Sequence, residues 1–150
     1  MKNVTIAINK KASFNYTLSD FFTCGIQLKG AEIKSIRLKK VNITDAYCMI
    51  EKGEVFIKNM DISQYKFCQE ELYNAKRLRK LLLNRLEIKK IKRNLDEKGM
   101  TLIPKKLFLS EKGFAKLEVA LGKGKKIYDK RESIKERDSK LEINRKKREK

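Results

Sequence analysis

Apolar and polar residues alternate around Lys52 and Gly53, and this alternation predicts a β-hairpin. Residues 46–51 and 55–58 would form its two strands, and the glycine supplies the positive φ that a tight turn requires. The positions predicted to be half-buried on these strands are Tyr47, Met49, Val55 and Ile57.

A second hairpin is predicted near the end of the apolar pattern. Residues 100–109 and 114–121 alternate on either side of a turn at residues 110–113. Pro104 lies inside the first of these strands, and proline lacks the N–H of a regular ladder, so this strand should be an edge strand or carry a bulge there. The buried face of the second strand is predicted to contain Leu117, Val119 and Leu121.

Helical spacing of apolar residues predicts a helix over residues 85–98. Asn84 and Glu87 stand where an N-cap and its capping-box partner belong, and Gly99 stands where a glycine ends a helix. The compact apolar run at residues 79–83 therefore lies before the helix and is predicted to be a buried strand.

The remaining segments carry weaker patterns. Residues 17–20 are typical of a turn or a short helix start, and residues 21–28 of a strand. Residues 32–39 have apolar side chains three apart and predict a short helix. Residues 59–75 are irregular and predict a long loop that packs a few aromatic side chains.

These elements predict a mainly β protein. About six antiparallel strands, with a helix inserted between the later ones, indicate an OB-fold-like antiparallel β-barrel with added helices and a basic C-terminal tail. A ferredoxin-like α+β sheet fits the same pattern as an alternative. We expect the barrel over residues 1–121 and the tail over residues 122–150.

The predicted tail begins with a flexible, basic Gly-Lys-Gly-Lys-Lys sequence. From residue 129 onward only Ile134, Leu141 and Ile143 are strongly apolar, which is too little to offset chain entropy, so the free tail should be disordered. Asp129 and Glu132 form another cap-and-box pair, and no later glycine or proline follows. The tail should therefore become helical where RNA neutralises its basic residues.

The formal net charge is +19, from 38 basic and 19 acidic residues. Residues 122–150 carry 13 basic and 6 acidic side chains, a net of +7, which leaves +12 on residues 1–121. A folded body this basic repels itself, so a polyanionic partner is expected. A Lys-, Asn- and Ile-rich genome composition is the alternative explanation of the charge.

The sequence lacks the residues that disulfide frameworks, zinc sites and common catalytic sites require. The three cysteines, Cys24, Cys48 and Cys68, are odd in number and form no Cys-x-x-Cys pair, so reduced, buried thiols are expected rather than disulfides or a zinc site. The chain has no His and no hydrolase or P-loop motif. We expect no catalytic residue, no metal site, no cofactor and no membrane span, and hence a soluble cytoplasmic protein.

Eight short motifs occur in an order that resembles small protein B, the SsrA-binding protein family. They lie at residues 9–12 with Tyr16, 25–37, 45–47, 53–54, 59–65, 79–83, 99–104 and 123–138. Two stretches depart from the family pattern. Residues 69–76 lack the polar loop expected before the Arg-Lys-Leu-Leu-Leu run, and the family order is lost beyond Asp138.

The resemblance implies a function. Proteins of this family bind the tRNA-like domain of transfer-messenger RNA and deliver it to ribosomes stalled without a codon, in trans-translation. Alanyl-tRNA synthetase and elongation factor Tu act alongside them, and one copy of the protein is expected per RNA. The basic tail enters the empty messenger channel of the small subunit and reports that no message is present.

The resemblance and the charge together imply two sets of contact residues. The RNA-binding residues are Asn9, Lys10, Glu32, Lys34, Arg37 and Leu82. The ribosome-binding residues are Lys123, Lys125, Lys126, Tyr128, Asp129, Lys130, Arg131, Lys135 and Arg137. Glu32 is expected to touch RNA, so its replacement by alanine should weaken RNA binding without unfolding the domain. The alternative for Asn9 and Lys10 is that they cap and decorate an N-terminal strand, and the alternative for Leu82 is core packing.

Two other functions fit parts of the sequence. A ribosomal protein would also be small, basic and tailed, but it would stay on every small subunit through a high-salt wash. An RNA-processing enzyme would need a carboxylate cluster or a His, and a magnesium-dependent cleavage assay would detect it.

Overall fold

The computed structural model describes residues 3–125. Within this range the strands are β1 (Val4–Ile8), β2 (Tyr16–Ile26), β3 (Val41–Asn42), β4 (Tyr47–Glu51), β5 (Glu54–Lys58), β6 (Asp61–Ile62), β7 (Arg79–Leu82), β8 (Thr101–Leu109) and β9 (Ala115–Gly124). The helices are α1 (Lys10–Asn15), α2 (Gly30–Arg37) and α3 (Arg85–Lys98). No helix within residues 3–125 is both long and apolar enough to cross a bilayer.

The strands form one antiparallel sheet that curls on itself. Its order is β1-β8-β9-β2-β7-β5-β4, and the short strands β3 and β6 pair separately. Strand β4, at one end of the order, packs back against β8 near the other end. The buried side chains of the sheet make one core inside this curl, which confirms the predicted OB-fold-like barrel with added helices.

The two predicted hairpins are confirmed. Lys52 and Gly53 have φ values of +53° and +75°, which is the backbone of a two-residue turn with both central residues left-handed. In the second hairpin the ladder between β8 and β9 shifts register just after Pro104, so this proline lies at a bulge. Burial of Leu117, Val119 and Leu121 on β9 agrees with the predicted face.

Helix α3 has the predicted bounds because its ends are specified locally. The Asn84 side chain accepts a hydrogen bond from the Glu87 N–H at 2.8 Å, and the Glu87 carboxylate accepts one from the Asn84 N–H at 3.1 Å. Gly99 ends the helix in the left-handed conformation, with φ +62°. Ile91 is buried on the inner face, with Ile88 and Leu95 packed beside it.

Two predicted boundaries are wrong. Residues 17–20 belong to strand β2, with a register shift at Asp20, because β9 provides a continuous partner for them. Strand β9 in turn runs to Gly124, three residues beyond the predicted end of this strand. Gly122 is buried there, and a Cβ built on it would lie 3.1 Å from the Cβ of Tyr16, so a glycine taken for a flexible linker serves close strand packing.

The prediction for the buried face of β4 is also wrong. Cys48 is the buried residue of this strand, whereas Tyr47 is exposed and Met49 is partly exposed. Burial raises the pKa of the Cys24 thiol to about 12, with a further contribution from the charge of Glu87, and burial raises the pKa of Cys48 well above its ordinary value. Both thiols are free and buried, as predicted, while Cys68 is only partly buried.

Candidate nucleic-acid interface

A groove of about 410 Å³ lies where the start of α2 meets the ends of β2 and β7. The turn between β8 and β9 forms its other side. Apolar side chains that line it include Ile33, Leu82 and Phe114, and the last two are exposed. Lys29, Arg37, Lys112 and Lys116 supply the charge. We call this surface the basic groove.

The electrostatics of the basic groove favour an anion. All charged side chains among its described lining residues are cations, and only Lys29 has a carboxylate partner, Glu70, at 3.6 Å between exposed side chains. Such an exposed pair competes weakly with a phosphate. Cations beside exposed apolar surface suit nucleic acid, since the cations hold phosphates and the apolar groups contact sugars and bases.

Tight backbone geometry shapes the groove. Gly25 of β2 pairs with Leu82 of β7, and a Cβ built at Gly25 would lie 3.4 Å from Leu82 Cδ1. A larger residue at position 25 would push Leu82 outward and reduce the groove. On the opposite side Gly113 has φ +85° and turns the chain between Lys112 and Phe114. A glycine therefore lies on each side of the groove: Gly25 leaves room for Leu82, and Gly113 allows the turn that precedes Phe114.

Beneath the groove, Glu32 lies in a buried ion cluster with Arg77 and Arg79. The Glu32 side chain is 1% exposed and that of Arg79 is 0% exposed. Arg77 Nη2 donates to Glu32 Oε1 at 2.7 Å, and Arg79 Nε donates to Oε2 at 2.6 Å. The N–H of Lys29 also donates to Oε1 at 2.8 Å, so the same carboxylate caps α2.

The predicted contact between Glu32 and RNA stays a prediction, and the structure shows that this side chain also has a structural role. Each carboxylate oxygen accepts hydrogen bonds from protein groups, and the residue is 1% exposed. Replacing Glu32 by alanine would leave the buried charge of Arg79 unpaired, so the domain should be destabilised rather than merely lose affinity. Glu32 positions the start of α2, which carries Lys29 into the groove.

The same cluster gives a pH dependence. Burial alone would raise the pKa of the Glu32 carboxyl, but hydrogen bonds from Arg77, from the Lys29 N–H and from Arg79, with the charge of Arg79, hold the pKa below its ordinary value. A carboxylate whose pKa is lower in the folded state than in the unfolded state stabilises the fold at pH values above its unfolded-state pKa, which is roughly 4.3 for Glu. This stabilisation is lost as the pH falls from there through the folded-state pKa.

We expect the difference in unfolding free energy between wild type and Glu32→Gln to be constant near pH 7 and to shrink below about pH 4. Urea titrations at several pH values measure it, and a difference that grows with acidification would contradict the role of this carboxylate.

Of the predicted RNA-binding residues, the structure brings Arg37 and Leu82 together in the basic groove. Lys10 is exposed at the first turn of α1. Lys34 is exposed on α2, but its Nζ lies 5.4 Å from the centre of the Tyr65 ring and outside the groove lining. The six predicted residues therefore do not form one continuous patch.

Asn9 lies in a separate depression of about 350 Å³, which is also lined by Tyr16 and Tyr47. The side chain is buried and its Nδ2 donates to the Pro104 carbonyl at 3.0 Å. The Oδ1 atom is buried without a hydrogen-bond partner among the described residues. The Asn9 side chain makes no capping hydrogen bond to α1, and its Oδ1 remains an acceptor for a donor group of a ligand.

The predicted ribosome-binding residues fall mostly outside the described part of the chain. Lys123 is exposed at the end of β9, and the Lys125 N–H donates to the Asn15 carbonyl at 2.9 Å. The predicted contacts that lie outside residues 3–125 are Lys126, Tyr128, Asp129, Lys130, Arg131, Lys135 and Arg137.

Sequence reasoning missed three of the four groove cations and one exposed ring. Lys29, Lys112, Lys116 and Phe114 were not singled out as contact residues. One signal was available, since Phe114 directly follows a polar, glycine-containing turn, where a large apolar residue has no neighbour to cover it. Arg79 was counted with an apolar strand, and nothing local indicated its partner 47 positions away.

The sequence is similar to known proteins over most of its length. Residues 6–149 match the family model described as SmpB protein. The SsrA-binding protein of Bacteroides thetaiotaomicron is 51% identical over 144 residues, which cover 95% of this chain and 96% of the relative. The SsrA-binding protein of Cytophaga hutchinsonii is 50% identical over 147 residues, covering 97% of this chain and 94% of the relative.

A solved structure agrees with the sequence relatives. A chain in the structure described as "tmRNA-SmpB: a journey to the center of the bacterial ribosome" superposes with a TM-score of 0.66. It is 35% identical, and the match covers 80% of this chain and 84% of that one. A family model over nearly the whole sequence, near-half identity to relatives and a shared fold lead to one conclusion: the chain belongs to the SmpB family.

Proposed function

We propose that this protein binds the tRNA-like domain of transfer-messenger RNA and delivers it to stalled ribosomes in trans-translation. The observation that carries the proposal is the basic groove, in which four cations surround exposed Leu82 and Phe114. Relatives named SsrA-binding protein, and a structural neighbour described with transfer-messenger RNA and the ribosome, support this choice of RNA.

The proposed contacts follow from where the side chains lie. Lys29, Arg37, Lys112 and Lys116 bind phosphates, which position the RNA without reading its sequence. Leu82 packs against a sugar or base exposed by the RNA fold. Lys10 and the free Oδ1 of Asn9 would form a second contact region, in which Asn9 accepts a hydrogen bond from a base amino group or a ribose hydroxyl.

The protein acts by binding rather than by catalysis in this proposal. Within residues 3–125 no three potential metal ligands lie together, and the sequence contains no His. Alanyl-tRNA synthetase and elongation factor Tu are proposed as partners on the same RNA, with one copy of the protein per RNA. The small ribosomal subunit is the proposed partner of the tail over residues 122–150, and the cytoplasm is the proposed compartment.

Removing two groove cations should weaken RNA binding with little effect on folding. We expect the variant Arg37→Ala/Lys112→Ala to bind the tRNA-like domain roughly 30- to 150-fold more weakly, at about 1–1.5 kcal/mol for each lost charge-assisted contact. The slope of log affinity against log salt should also fall by about 1 to 2, since fewer counterions are released. Fluorescence anisotropy at several salt concentrations measures both quantities.

The control variant is Lys89→Ala/Lys92→Ala, which removes the same net charge from exposed positions of α3 outside the groove. It should bind within about threefold of wild type, since only the long-range attraction is reduced. Equal losses in the two variants would mean that total charge, and not the groove, determines binding. Circular dichroism melts confirm that both variants are folded.

A further inference from the structure

Two aromatic rings stand on the surface beside the basic groove. Tyr65 and Phe67 contact each other edge to face, with 5.5 Å between ring centres and 64° between ring planes. Phe67 is 71% exposed. Lys34 Nζ lies 5.4 Å from the centre of the Tyr65 ring, and Lys66 Nζ lies 5.5 Å from the centre of the Phe67 ring. We call Tyr65 and Phe67 the aromatic platform.

The loop that carries the platform is braced by hydrogen bonds. Gln64 Nε2 donates to the carbonyls of Cys68 and Glu70 at 3.3 and 3.0 Å, and the Cys68 N–H donates to the Tyr65 carbonyl at 2.9 Å. The Tyr73 hydroxyl donates to the Ile62 carbonyl at 2.6 Å. These bonds hold Phe67 outward, although burying its ring would remove apolar surface from water.

The loop is also attached to the buried ion cluster. Arg79 Nη1 donates to the Met60 carbonyl at 2.7 Å before the platform, and Nη2 donates to the Ala75 carbonyl at 3.0 Å after it. Both ends of the loop are thus fixed by one buried side chain. An exposed aromatic ring on a braced loop loses little conformational entropy when a partner binds, which is the property of a preformed contact.

The aromatic platform lies beside the proposed RNA surface. Helix α2 directs Ile33 and Arg37 into the groove and Lys34 over Tyr65. Lys29 lines the groove and pairs with Glu70 of the platform loop. Exposed aromatic rings accompanied by lysines suit an unstacked nucleotide, because the ring stacks on the base while the ammonium groups attract the phosphate.

We propose that the aromatic platform is a stacking site for an unpaired base of the bound RNA, with Phe67 as the stacking ring and Lys34 and Lys66 as phosphate contacts. This inference rests on the proposed function and extends it to a second surface on the other side of α2. It also gives Lys34 a role next to the groove, consistent with the predicted participation of Lys34 in RNA binding.

The experiment uses the transcribed tRNA-like domain of transfer-messenger RNA from Bacteroides thetaiotaomicron and the full chain. Phe67→Ala should lower the affinity about fivefold or more, from the loss of one base stack. The matched control is Leu72→Ala, since Leu72 is 92% exposed in the same loop but has no ring, and it should stay within about twofold.

A third variant reports stacking directly. The chain contains no Trp, so Phe67→Trp introduces a single indole fluorophore at the platform. We expect Phe67→Trp to bind at least as tightly as wild type and its fluorescence to be quenched when RNA is added, since a base lies against the indole.

The outcomes separate the two proposals. Wild-type affinity in Phe67→Ala, an equal loss in Leu72→Ala, or unquenched fluorescence of bound Phe67→Trp overturns the stacking site and leaves the proposed function intact. A wild-type protein that does not bind the RNA overturns the proposed function and this inference with it.

Discussion

Replacing Arg79 by alanine is expected to lower the free energy of unfolding by about 3–5 kcal/mol, the usual cost of breaking a buried ion pair from one side. The guanidinium is fully buried, and all its donors are used, toward Glu32 and the carbonyls of Met60, Ala75 and Arg77. Its removal leaves the Glu32 carboxylate buried and releases the loop at both ends. Urea denaturation measures the loss, which would consume a large part of a typical stability of about 5–15 kcal/mol.

Two further variants make this expectation specific. Arg77→Ala removes the other cation of the cluster, but Arg77 is partly exposed, so the loss should be only about 1–2 kcal/mol. Arg79→Lys keeps the charge with three donors in place of five and should fall between wild type and Arg79→Ala. If Arg77→Ala and Arg79→Ala were equally destabilised, burial would not be the source of the effect.

Elements with local signals were predictable from the sequence. Helix α3 was correct at both ends because its cap, its apolar face and its terminal glycine lie within sixteen consecutive residues, 84–99. The hairpin between β4 and β5 was correct because the turn at Lys52 and Gly53 determines its register. No knowledge of the rest of the chain is needed for either element.

Elements that depend on distant partners were not predictable in this way. Residues 17–20 are mostly polar and resemble a turn, yet β9 pairs with residues 17–19 from more than 100 positions away. Gly122 resembled the start of a linker because its pairing partner, Leu18 of β2, is equally distant in the sequence. Where a strand ends depends on how far its partner strand continues beside it, which local pattern does not encode.

In the candidate site, too, residues in local motifs were predictable and residues brought in by distant contacts were not. Arg37 and Leu82 were found because they lie in recognisable motifs, whereas Lys112 and Phe114 reach the groove from a separate turn. Glu32 was singled out for a contact with RNA, but its structural role in a buried ion cluster was not predicted. Only partners within its own helix were considered, while the partner that buries it lies in β7. A carboxylate in a basic protein can therefore mark a structural ion cluster as readily as a ligand contact.

The triple variant Asp129→Ala/Lys130→Ala/Arg131→Ala is expected to bind transfer-messenger RNA normally and to fail in tagging peptides on stalled ribosomes. The sequence supports this separation, because the triplet follows Tyr128 in the basic segment beyond residue 125, whereas the groove cations lie between residues 29 and 116. In the proposed mechanism Asp129 caps a helix that forms only in an empty messenger channel, while Lys130 and Arg131 hold ribosomal phosphates. A lost cap at about 1 kcal/mol and two lost contacts at about 1.5 kcal/mol each correspond to roughly a 100-fold or greater loss of the bound state.

The measurement is a reconstituted tagging assay on ribosomes stalled at the end of a truncated message, with RNA affinity determined in parallel. The matched control is Arg145→Ala/Lys146→Ala/Glu149→Ala, which removes the same two cations and one carboxylate from the part of the chain beyond Asp138. This control should tag close to the wild-type rate if the contacts are specific to the triplet. Full tagging by the Asp129 triple variant would remove these residues from the mechanism, and loss of RNA affinity would place them in the other interface. Equal loss of tagging in both triple variants would show that the tail acts through its total charge. A helix cap requires the carboxylate at one particular position, whereas a diffuse electrostatic attraction depends only on the number of charges.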